Sequence, residues 1–140
     1  EHSLEVQLPF LQSVLPEFTL LPLTVGMASA DEVAEVLEIL WGGEETLVVI
    51  SSDLSHYLPY ATAQRIDNAT VQSILQLHQP IAHDHACGGT PISGLIVAAQ
   101  KHHLMPHLLD LRNSGDTAGS RGQVVGYAAL AFTGETKHAS

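Results

Sequence analysis

Two hydrophobic rhythms take turns along this chain: stretches with a helical period of about 3.6 residues, and short unbroken apolar runs. Residues 3–15 read as a helix with Ser3 as N-cap, and Pro9 must sit near a helix start or kink it. Residues 18–25 are β-rich, stop at Gly26 and read as a strand. Residues 30–41 are amphipathic, with Val33, Val36, Leu37 and Leu40 on one stripe and Asp31, Glu32, Glu35 and Glu38 outside it; Gly42-Gly43 ends this helix. The run TLVVIS at 46–51 has the continuous apolar character of a strand covered on both faces. Residues 54–60 read as a loop. Residues 62–77 read as a helix with Ile66, Ala69, Ile74 and Leu77 inward, and residues 91–103 as a helix capped by Thr90 with Pro91 at its first position. Residues 108–113 and 124–132 read as strands, and 134–140 as an unstructured tail. This alternation predicts the α/β class, with a layered, mostly parallel or mixed sheet flanked by helices.

The chain has 140 residues, 45% of them apolar. A domain of that length buries roughly 68–70% of its unfolded surface, so a core without staples is expected. Lys and Arg total 5 against 15 Asp and Glu, a formal charge of −10, and ten acids precede the first basic residue, Arg65. That balance argues against nucleic acid and against an anionic membrane surface as partners. A single cysteine forms no internal disulfide and suits a reducing cytoplasm. No apolar run approaches the ~18 residues of a membrane span, and no signal-peptide pattern is visible. The helix-like opening at Glu1, without a Met, predicts further polypeptide upstream.

Nine histidines are the oddest feature of the composition. His83, His85 and Cys87 alternate in HDHAC, which in an extended backbone puts all three on one face, as metal ligands or as a surface loop around a buried thiol. Cys87 also precedes Gly88-Gly89-Thr90-Pro91, a helix start, where free N–H groups favour an anion; the plain alternative is that the glycines only make a turn. A second constellation, SSDLSH at 51–56, follows the apolar run TLVVIS, at the strand end where α/β sheets bind ligands. There Asp53 can orient His56 as a general base, or merely cap a turn. A serine hydrolase using Ser52 or Ser55 is disfavoured because GxSxG is absent. His102, His103 and His107 read as surface residues near a helix end, and 113–117 as a turn or a ligand loop.

Four blocks, EHSLEVQLPFLQ (1–12), VVISSDLSHYLPY (48–60), ACGGTPISGL (86–95) and NSGDTAG with VVGYAALAF near the end, resemble the Memo family in its own order. The prokaryotic members are called AmmeMemoRadiSam system protein B. The resemblance implies a fold similar to class III extradiol dioxygenases, with residues 1–133 as the carboxyl-terminal part of one Memo-like domain. It implies Cys87 as a metal ligand where the dioxygenases use glutamate, with two histidine ligands from an amino-terminal half that lies outside this sequence. His56 matches the position of the dioxygenases' catalytic histidine, Asp53 its neighbour, and His2 falls on the EHS motif facing the same pocket. His83 and His85 are outside the signature. The implied cofactor is iron or copper in the intact protein, with none expected on this portion alone.

Two functions follow from the resemblance. One is a metal-dependent redox enzyme acting on a small molecule or a modified protein, alongside radical-SAM and AMMECR-type partners. The other is a catalytically vestigial module that uses the same pocket for a peptide or protein; the charge of −10 argues against an acidic phosphopeptide. Half of an α/β domain exposes apolar faces, so self-association into homo-oligomers is expected.

Overall fold

The computed structural model describes residues 2–117 and 119–134; most of the expected tail, 135–140, lies outside them. The opening helix forms as two pieces, α1 (His2–Glu5) and α2 (Leu8–Val14), because Pro9 has no N–H to continue α1 and falls in the first turn of α2. α3 (Ala30–Leu40) starts on a capping box absent from the sequence reading: Ser29 Oγ accepts the Glu32 N–H at 3.2 Å, and the Glu32 carboxylate accepts the Ser29 N–H at 2.8 Å. The Ser29 N–H, and after it the Ser29 hydroxyl at 3.0 Å, donate to the Glu32 carboxylate and hold that carboxyl below its ordinary pKa. Gly42, at φ +64°, ends the helix as expected.

Three strands follow: β1 (His56–Leu58), β2 (Met105–Asn113) and β3 (Val124–Thr133), with α4 (Tyr60–Leu75) and α5 (Gly89–Lys101) between the first two. β3 lies in the middle, antiparallel to both neighbours. The α/β class therefore holds, while the described strands pair antiparallel throughout rather than mostly parallel. The reason lies in the two runs meant to form the parallel part. Residues 18–25 and 46–51 find no pairing partner among the described residues and form no strand. Leu20, Leu21, Leu23, Leu47 and Val49 stay exposed.

α5 is the middle layer. On one side Ile96 joins Leu54, Val71, Ile74, Ile81 and Ala86, with Leu111, Ala128, Leu130 and Phe132 of the sheet packed against them. On the other side Ala98 meets Val33 and Leu37 of α3. Fully buried residues such as Ile96 and Val71 each contribute roughly 1.5–3 kcal/mol by leaving water. The buried face of α4 is Ala63, Asp67, Thr70, Val71 and Ile74, not the expected stripe through Ala69. Two polar residues on an inward face hide its phase from a hydrophobic count. Likewise α3 buries Val33, Ala34 and Leu37, while Val36 and Leu40 are exposed.

Candidate functional site

The segment that follows TLVVIS is fastened from behind. Leu54 N–H donates to the Gly126 carbonyl and Gly126 N–H to the Ser55 carbonyl, both at 2.9 Å. Ser55 N–H donates to Oδ1 of Asp67, a carboxylate only 2% exposed, at 3.0 Å. Residue 126 must be glycine for this to close, since a methyl group there would run into the Asp67 carboxylate. Ser55 Oγ is fully buried and has no hydrogen-bond partner among the described residues.

His56 then pairs with Val125 and Leu58 with Val124, a register shift that leaves Tyr57 as an irregularity. Tyr57 adopts φ +57°, a left-handed backbone that a tyrosine rarely takes and that local packing must hold. Tyr57 is 70% exposed, and its ring tilts against the His56 imidazole at 5.8 Å. The reading of 54–60 as plain loop missed this short strand.

The second half of the site is the turn before α5. HDHAC is folded into turns, with His85 and Ala86 N–H groups both donating to the Ala82 carbonyl, so its alternate residues do not share one extended face. Both ring nitrogens of His83 are engaged, Nδ1 with the Cys87 carbonyl (3.4 Å) and Nε2 with Thr90 Oγ1 (3.0 Å). His83 braces the turn instead of pointing at a ligand. Cys87 stands one residue before the N-cap Gly88, not Thr90, and is exposed.

The two halves meet at Asp53. Its N–H donates to Cys87 Sγ at 3.3 Å, and its carbonyl accepts the Cys87 N–H at 3.3 Å. On its other side the carboxylate Oδ2 lies 3.5 Å from His56 Nε2, at ion-pair distance, with both side chains part-exposed. Cys87, Asp53 and His56 are thus brought together, with Asp53 between the sulfur and the ring. Ser52, considered in the sequence only as a nucleophile, sits beside the sulfur: its Oγ is 3.6 Å from Cys87 Sγ, donates to the Asp53 carbonyl at 2.7 Å and accepts the Gly88 N–H at 2.8 Å. Its proton is committed to a carbonyl, which disfavours Ser52 as the nucleophile of the hydrolase reading, and the other candidate, Ser55, is buried. Nothing in the spacing of residues 52 and 88 signals this contact, because 36 residues separate them.

The opening segment docks on the same edge. Ser51 Oγ donates to the Ser3 carbonyl at 2.6 Å and accepts from Gln7 Nε2 at 3.0 Å. The His2 side chain itself is 93% exposed and turned to Glu5 Oε2, 3.2 Å away. The structure therefore places Ser3 of the EHS motif next to the site but does not bring the His2 imidazole to Cys87 or His56. The 113–117 segment turns its polar groups inward on itself: Asn113 Oδ1 accepts the Gly115 N–H, and the Asp116 carboxylate accepts the Asn113 N–H. Of the three late histidines, His102 is not merely superficial. It stacks on Trp41 with ring centres 4.0 Å apart and lies 3.0 Å from Glu38.

The sequence profile described as Memo-like protein matches residues 1–131. The chain belongs to the Memo family. This Memo-family chain is 36% identical over 144 residues to a MEMO1 family protein of Methanosarcina barkeri, covering 93% of the chain and 54% of that relative. It is 37% identical over 144 residues to one of Archaeoglobus fulgidus, covering 94% and 55%. With one of Metallosphaera sedula it shares 32% over 146 residues, covering 95% and 52%. The Memo chain thus spans about half the length of the curated relatives it matches. No helix among its described residues is long and apolar enough to cross a membrane.

Proposed function

We propose that this chain carries part of a metal-dependent redox site, of iron or copper, in an enzyme related to class III extradiol dioxygenases. The observation that carries the reading is the convergence of Cys87 Sγ and His56 on the two sides of Asp53. The donor types fit: thiolate and imidazole suit iron or copper and are poor ligands for magnesium or calcium. Among the described residues no three His, Cys, Asp or Glu side chains group closely enough to hold an ion by themselves. Cys87 would be one ligand, and the others would come from the part of a full-length family member that this chain does not span.

A bound iron or copper supplies the electron-transfer chemistry that side chains lack. The remaining work falls to the chain's own groups. With Nε2–H directed at the Asp53 carboxylate, His56 keeps its lone pair on Nδ1, where it takes a proton from a substrate hydroxyl. Asp53 fixes that tautomer and offsets the charge of the imidazolium once it forms. The substrate is a small molecule or a modified protein side chain. A radical-SAM protein and an AMMECR-type protein are the partners in the same system, which operates in the cytoplasm.

Metal content decides this. A full-length family member prepared without oxygen is expected to hold iron or copper near one per chain. Cys87→Ser removes it, and His56→Ala retains metal while losing turnover. The isolated 140-residue chain holds little. A full-length protein that stays metal-free under reducing reconstitution, yet still binds a protein partner after Cys87→Ser, overturns the enzyme reading in favour of a binding module.

A further inference from the structure

Ser52 has no role in the chemistry above, yet its hydroxyl, beside the Cys87 thiol itself, ties together the two loops that form the site. It takes the Gly88 N–H at 2.8 Å and gives its own proton to the Asp53 carbonyl at 2.7 Å. That same carbonyl also takes the Cys87 N–H. The hydroxyl thus closes a small ring of backbone and side chain around the sulfur. Gly88 allows the closeness: a Cβ there would lie 2.7 Å from Ser52 Cβ and 3.3 Å from the Ser51 carbonyl. Cys87 is exposed, so burial does not fix its sulfur. Its orientation depends on the Asp53 N–H, 3.3 Å away, and on the loop spacing that Ser52 sets.

We propose that Ser52 is a positioning residue, which holds Cys87 Sγ in the direction a metal ion requires by latching the 52–53 loop to the 87–88 turn. The proposal rests on Cys87 being a metal ligand. Groups that orient a ligand typically affect metal affinity by 10–100-fold, and a hydroxyl acting through backbone belongs at the lower end.

Cobalt(II) is a suitable probe, because a cysteine thiolate bound to it gives a near-ultraviolet charge-transfer band. With a full-length family member, the change equivalent to Ser52→Ala is expected to weaken cobalt binding about tenfold and to shift that band, with far-ultraviolet circular dichroism unchanged. Gly88→Ala, which spreads the same loops from the other side, shifts it in the same direction. Cys87→Ser abolishes the band. Native affinity and an unshifted band in Ser52→Ala overturn the proposal. If the full-length native protein shows no band, the ligand reading fails, and amide exchange on the metal-free 140-residue chain judges the latch alone. There the Gly88 N–H is expected to exchange at least about tenfold faster in Ser52→Ala, consistent with loss of one hydrogen bond. Unchanged exchange overturns the latch. Should Ser52→Ala not fold, the same two readouts on Gly88→Ala decide.

Discussion

Tyr60 Oη donates to Asp116 Oδ1 over 2.5 Å, and Arg121 lies 4.6 Å from the centre of the tyrosine ring. The hydrogen bond is the largest cause of both shifts: it holds the Asp116 carboxyl below its ordinary pKa and raises the Tyr60 phenol above its own. The signs give a window. A carboxyl depressed in the folded state adds stability that is present above its unfolded value of about 4 and is lost as pH falls through the folded value. A phenol raised in the folded state adds stability that is present below about 10 and is lost as pH rises through the folded value. Tyr60→Phe is therefore expected to lower the urea midpoint most between those limits, with the two proteins converging towards acid and towards alkali. A gap independent of pH would mean that only packing was lost. At the same scale Asp67 shows why a buried carboxylate escapes sequence reading. Its polarity counts against an inward face, while the Ser55 N–H that justifies its burial comes from a loop twelve residues earlier.

Among elements, α3 and α5 are joined at their carboxyl ends by the stack of His102 on Trp41. The Glu38 contact beside it is about a third exposed and adds little, so the stack dominates. His102→Ala is expected to destabilise the fold by about 1 kcal/mol, the range of aromatic pairs. Trp41 is the sole tryptophan, so its fluorescence during urea unfolding reads the change directly. Elements of this kind were legible where a long segment kept one period: α3, α4, α5, β2 and β3 all form where the pattern puts them, within a few residues. Two kinds of element were not. β1 has three residues and a left-handed Tyr57, which no alternation announces. The runs 18–25 and 46–51 have strand composition, but a strand exists only as a pair, and composition carries no information about the partner. The site was readable in the same uneven way. Asp53 and His56 stand out as polar residues directly after an apolar run, and Cys87 as the lone cysteine in HDHAC before a helix start. Ser52 and Gly88 do not, because their contact depends on how two distant turns close.

For the whole molecule, the consequence of those unpaired runs is an apolar surface. Leu21 and Leu47 are 63% and 66% exposed, and Phe10 is 72% exposed on α2. Beside α2 an open groove of about 910 Å³ includes Leu8, Leu15, Phe18 and Leu20 in its walls. Exposed apolar side chains of this kind favour association between copies where they cluster. The 140-residue chain is expected to self-associate, with light scattering showing a mass that rises with concentration, and Leu21→Lys with Leu47→Lys reducing that rise. A constant monomer mass at millimolar concentration contradicts it.

One feature of the site reaches beyond its chemistry. Asp53 touches the sulfur through its main chain and the imidazole through its side chain. The thiol and the ring therefore share one amino acid as their common neighbour, and a displacement of residue 53 alters the surroundings of both at once.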